Sequence, residues 1–188
     1  LSKPPSPPIC YGLKPRHYPA SDNWGGPAKL AALSQKARTN GYLFGLYQTY
    51  GDMYNQSQGR WEPANLVLEP NGNWRNYGYV APGCPTVTSP INTQVAQPIV
   101  IKPDKWLNYT QQETQLIKND YGVTTGFLDV EPKLPYPLEI DFDAQNSNSR
   151  TFKQIHEHVK SLVNFQRNTI QGPLIGEGGS LESFPTDT

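Results

Sequence analysis

With 188 residues, 36% of them hydrophobic and 17% charged, the chain is long enough for one domain with a real core and too weakly charged for a disordered tail. Its 16 Lys and Arg balance 16 Asp and Glu, which removes the long-range field that a nucleic-acid or anionic-membrane binder uses. No run approaches the roughly 20 apolar residues of a membrane span, so neither a membrane nor a nucleic acid is expected as partner.

The start, Leu1 to Pro8, is Pro-rich and has no apolar signal region, so the chain reads as a mature protein or a piece of a longer one. Ile9 to Leu13 is a short apolar run bounded by prolines and predicts a first strand. A helix is predicted over 27–39: Pro27 suits its first position, Leu30, Leu33 and Ala37 share a face, and Asn40-Gly41 supplies the stop. Tyr42 to Gln48 is a continuous apolar run, as expected of a strand buried on both faces.

Residues 49–108 have no sustained period and are rich in Gly, Pro and Asn, which predicts a long irregular excursion over the C-terminal face of the sheet. It holds Trp61, Trp74 and Trp106, of which Trp61 and Trp74 either stack on a ligand or anchor the loop. Cys10 and Cys84 are the only cysteines; a disulfide and two separate thiols are both open. Asn55-Gln56-Ser57 and Asn108-Tyr109-Thr110 permit N-glycosylation.

Thr110-Gln111-Gln112-Glu113 has the pattern of a capping box and predicts a helix over 110–120, with Leu116 and Ile117 as its stripe and Gly122 just past its end. A strand follows over 124–130. The third helix, 149–168, carries Phe152, Ile155, Val159, Leu162 and Val163 at helical spacing, and Gly172-Pro173 leads into a strand over 173–177. Strand–helix–strand alternation argues a parallel sheet with helical crossovers. No Gly-rich phosphate loop follows any strand, and no residue spacing suggests a metal site, so no cofactor is expected.

Polar groups collect where these strands end. The second ends Tyr47-Gln48-Thr49-Tyr50-Gly51-Asp52, the third Leu128-Asp129-Val130-Glu131, and the fourth Ile175-Gly176-Glu177-Gly178-Gly179. Neighbouring parallel strands lie about 4.8 Å apart. Acids ending successive strands can therefore reach the roughly 5–10 Å separation of a glycosidase carboxylate pair. Asp129 and Glu177 are the candidates for such a pair. Asp141 and Asp143 flank Phe142 ahead of a helix, which suits capping or loop hydrogen bonds. His156 and His158, two apart on one helix, point to different faces and do not make a zinc pair.

The series Tyr47-Gln48-Thr49-Tyr50-Gly51-Asp52-Met53-Tyr54, Gly126-Phe127-Leu128-Asp129-Val130 and Gly172-Pro173-Leu174-Ile175-Gly176-Glu177-Gly178-Gly179 resembles the clan of the endo-α-N-acetylgalactosaminidases and related glycosidase-like barrel proteins. The likeness spans about residues 41–180, and it lies in the order and spacing of short motifs. It implies about half of a (β/α)8 TIM-type barrel in one segment, with Asp129 as nucleophile and Glu177 as general acid/base of a retaining mechanism. It further implies a carbohydrate subsite lined by Tyr47, Gln48, Tyr50 and Asp52; Trp61 is a candidate for the same subsite, and Glu131 is a rival carboxylate that the pattern leaves open. A secreted, extracellular setting goes with this reading. Four strands fall short of the eight of a full barrel. This leaves two alternatives standing: a non-catalytic carbohydrate-binding relative, and an assembly protein whose open sheet edges associate with further copies or segments.

Overall fold

The computed structural model describes residues 18–22, 25–54, 62–76, 98–129, 131 and 139–176. Its elements run α1 (Gly26–Thr39), β1 (Gly45–Gln48), β2 (Asp52–Tyr54), β3 (Pro98–Val100), α2 (Pro103–Tyr121), β4 (Thr125–Leu128), α3 (Phe152–Ile170) and β5 (Leu174–Gly176). β1, β4 and β5 form one parallel sheet in that order, with Gly45 opposite Thr125, Leu128 opposite Gln48, and Leu128 also opposite Gly176. The expected adjacency of the last three strands holds, with β4 in the centre. The strand expected at 9–13, both cysteines, Asn55, Trp61 and Glu177 lie outside the described residues.

Both crossover helices cover one face of the sheet. Leu46 packs with Ile117, Tyr121 and Ile170, while Leu128 and Leu174 pack with Ile155, Val159 and Leu162. At Gly126 an added methyl would stand 2.7 Å from the tip of Leu174 and 2.8 Å from that of Ile170, so both side chains would have to shift to admit one. Alternate residues turn the other way. Tyr47 is 53% exposed and Ile175 50%, which corrects the reading of a strand buried on both faces. The run of apolar residues in 42–48 does not reveal that its odd positions lack cover among the described residues.

Helix boundaries follow chemistry that the sequence carries in part. α1 ends as expected at Asn40, with Gly41 at φ 80. Leu33 is exposed, because its apolar face is set by Leu30, Ser34 and Ala37 instead. α2 begins seven residues before the expected capping box, with Pro103 at its first position. Thr110 is therefore interior, and its hydroxyl donates to the Trp106 carbonyl one turn back (2.8 Å). Gly122 closes the helix at φ 60. The capping box that does form belongs to α3: the Thr151 hydroxyl accepts from the Gln154 amide, and the Gln154 side chain accepts from the Thr151 amide (both 3.2 Å).

The described parts of 49–108 are more regular than expected. β2 and β3 pair antiparallel, Asp52 opposite Val100, and Leu66 bridges Ile101 while Asn76 bridges Ile99. The Ile101 amide donates to the Gly51 carbonyl (2.8 Å), so this ribbon grows from the C-terminal end of β1. Strands of three residues are too short to show a period. Trp106 belongs to the core cluster that also holds Tyr50, Leu128 and Ile155, with its indole N–H on the Ile101 carbonyl (3.1 Å).

Candidate active site

The C-terminal ends of β1 and β4 bring together Tyr47, Phe127 and Asp129. The Asp129 amide donates to the Gln48 carbonyl (3.1 Å), which extends the ladder one step beyond β4 and aims the side chain to the face opposite α2 and α3. Tyr47 and Phe127 are register partners whose rings stack at 5.7 Å and 25°. The Tyr47 hydroxyl donates to Oδ2 of Asp129. Burial, then this hydrogen bond and the charges of Asp129, Asp52 and Glu131, push the phenol well above its ordinary range. Tyr47 thus stays a protonated donor that fixes one carboxylate oxygen of Asp129.

Asp52, half-buried at the start of β2, is close enough for its charge to act on both Tyr47 and Glu131. Two other expected subsite residues, Gln48 and Tyr50, turn inward, which differs from the expectation that they face a sugar. Gln48 is buried beneath the sheet; its amide N–H donates to the Tyr50 hydroxyl (2.6 Å), and its carbonyl accepts from Gln166 on α3 (3.1 Å). Tyr50 is fully buried. Strand parity explains the split, because Gln48 and Tyr47 must face opposite sides. Gln166 was not singled out from sequence, although its place on the Leu162–Val163–Ile170 stripe is a signal: a polar residue on a buried helix face needs a partner.

Glu131 is 1% exposed. Its Oε1 accepts from the amides of Tyr50 and Gly51 (the latter 2.7 Å) and from the Thr49 hydroxyl (3.3 Å). Burial pushes its carboxyl up to about 7, against the backbone amides that pull it down, and Asp52 adds to the rise.

Asp141 and Asp143 are structural, as expected. Asp141 Oδ1 accepts from the Leu68 amide (2.9 Å), and the buried Lys102 ammonium reaches Asp143 (2.8 Å) and Asp141 (3.5 Å). The Lys102 hydrogen bond holds the Asp143 carboxyl below its ordinary range. The His158 ring sits on the Asn148 carbonyl (2.9 Å). Among the described residues, no group of three or more His, Cys, Asp and Glu is arranged to hold a metal, and no helix is long and apolar enough to cross a membrane.

No family model matches the chain, and no curated protein matches it. Solved structures do. The alpha-N-acetylgalactosaminidase NagBb from Bifidobacterium bifidum superposes in its GalNAc complex with a TM-score of 0.70 at 15% identity, covering 89% of this chain and 24% of that one. Its ligand-free form gives 0.65 at 16% identity, with 89% and 25% covered. The alpha-galactosidase TtGalA from Thermus thermophilus, in complex with stachyose, gives 0.50 at 11% identity, with 82% and 28% covered. These neighbours are glycoside hydrolases, and at such identities the likeness is one of fold. The chain spans about a quarter of the length of the structures it matches.

Proposed function

We propose that the chain carries the active-site portion of a glycoside hydrolase that acts on a glycan or glycoconjugate by a retaining mechanism. The observation that carries this reading is Asp129 at the C-terminal end of the central parallel strand, with a tyrosine hydroxyl on one carboxylate oxygen. That end of the strands is where (β/α) barrels put their chemistry. Leu128 and Gly176 are register partners, and Asp129 and Glu177 come next in the two sequences. In the proposed reaction the Asp129 carboxylate attacks the anomeric carbon as the Glu177 proton goes to the departing glycosidic oxygen. Glu177 then takes a proton from water, whose oxygen displaces Asp129 from that carbon.

The names of the neighbours make aryl α-N-acetylgalactosaminides and aryl α-galactosides the first substrates to try. Hydrolysis of one of them, abolished by Asp129→Asn with sugar binding retained, is the expected result. Absence of both hydrolysis and binding would sink the assignment, and full activity of the variant would move the nucleophile to another acid. A second reading, an assembly module, is favoured by the open sheet face at Tyr47 and Ile175; a native mass above that of one chain, without turnover, would support it.

A further inference from the structure

We propose that Glu131 is a positioning residue that fastens the turn after β1 to the chain just past β4, and so holds Tyr47 against Asp129 and Asp52 beside them. The inference rests on the glycosidase reading for its consequence in catalysis, but its geometry stands independently. The β1–β4 ladder makes its last described link at the Asp129 amide and the Gln48 carbonyl (3.1 Å). Beyond that point the two strand ends have to diverge, since β1 turns through Thr49, Tyr50 and Gly51 into β2. At this divergence a single oxygen, Glu131 Oε1, gathers the Tyr50 amide, the Gly51 amide (2.7 Å) and the Thr49 hydroxyl (3.3 Å).

The spacing gives the clamp its reach into the site. Thr49 is two residues after Tyr47, Gly51 is one before Asp52, and Glu131 is two after Asp129. All three candidate site groups therefore hang from chain segments that converge on one carboxylate. Glu131 itself is 1% exposed, too buried to touch a sugar, so it acts through its neighbours. Its Oε2 is buried and has no hydrogen-bond partner among the described residues. A side chain retained there at that cost is explained by the two backbone donors its other oxygen satisfies, which would otherwise be stranded.

The test compares wild type, Glu131→Ala and Glu131→Gln by NMR without substrate. The readouts are amide exchange at Tyr50 and Gly51 and the ring-carbon resonance of Tyr47, identified by its loss in Tyr47→Phe. Ala removes the acceptor, so both amides should exchange at least about tenfold faster and the Tyr47 resonance should move. Gln keeps a carbonyl at the same place and should restore both. A folded Ala variant with unchanged Tyr47 and unchanged protection overturns the proposal. If that variant does not fold, rapid exchange of the two amides in wild type or in the Gln variant overturns it, and protection in both supports it. Where wild type hydrolyses an aryl glycoside, the Ala variant should lose about 100-fold in kcat with the Gln variant closer to wild type. Absence of wild-type hydrolysis removes the glycosidase reading alone and leaves the NMR result to decide the clamp.

Discussion

At Asp129 a single hydroxyl decides how the carboxylate is presented. Replacing Tyr47 with Phe keeps the ring on Phe127 and deletes only the donor to Oδ2. A hydrogen bond to a charged group contributes about 1.5 kcal/mol at the low end, so kcat on an aryl glycoside should fall about tenfold, with KM changing less. An unchanged kcat would detach Tyr47 from the chemistry. Glu131 makes a prediction about pH. Its carboxyl rises from an ordinary 4.5 to about 7 in the folded chain. Between those values the folded state holds more protons than the unfolded one, so the group's contribution to stability falls as pH rises. The ionisable groups facing it are Asp52 and Tyr47, and Asp52 strengthens the effect. Denaturation of wild type and Glu131→Gln from pH 4 to 8 should show the difference growing in favour of the variant, by on the order of 3 kcal/mol at most. A constant difference across that range would contradict it.

Among the elements, α3 has two ends with different chemistry. Its start is the reciprocal Thr151–Gln154 box, and Thr151→Ala should lower stability by about 1 kcal/mol. Its end places Gln171 at φ 58, a left-handed conformation that suits glycine. Gln171→Gly should therefore raise stability by about 0.5–1 kcal/mol, read as a higher denaturation midpoint, and a lower midpoint would show that the Gln side chain contributes more than its backbone strain costs. These ends also show what was legible. The stripe of Ile155, Val159, Leu162 and Val163 is visible in sequence because α3 has one wet face, whereas Phe152, expected on the same stripe, is exposed at the first turn. The start of α2 is not, because Lys102 caps it without a side-chain hydrogen bond, while Thr110 and Glu113 mimic a box inside the helix. Pro103 at the first helical position was the available signal, the same one that marks α1 at Pro27.

In the whole molecule, the parallel order of β1, β4 and β5 could be read from helical crossovers, whereas the faces of the strands could not. Tyr47 and Gln48 are adjacent in sequence and were both expected at a sugar, yet parity sends one to the open face and the other among Thr114 and Gln166. Asp129 at the end of β4 was legible for the opposite reason, since it directly follows an apolar run of strand length; Glu177, next after β5 in the sequence, is its proposed partner. Their proposed roles differ in a way that kinetics can separate. Asp129 must form a bond to the anomeric carbon with every substrate, so Asp129→Asn should abolish turnover whatever the leaving group. Glu177 supplies a proton that a phenol needs much more than a nitrophenol does. Glu177→Gln should therefore depress hydrolysis of poor leaving groups by 10²-fold or more while sparing activated ones in their first step. In that variant the glycosyl ester on Asp129 should accumulate, and added azide, which needs no proton removed, should restore turnover. Equal losses across leaving groups, with no rescue by azide, would deny Glu177 the acid/base role and return the assignment to another carboxylate of the strand ends.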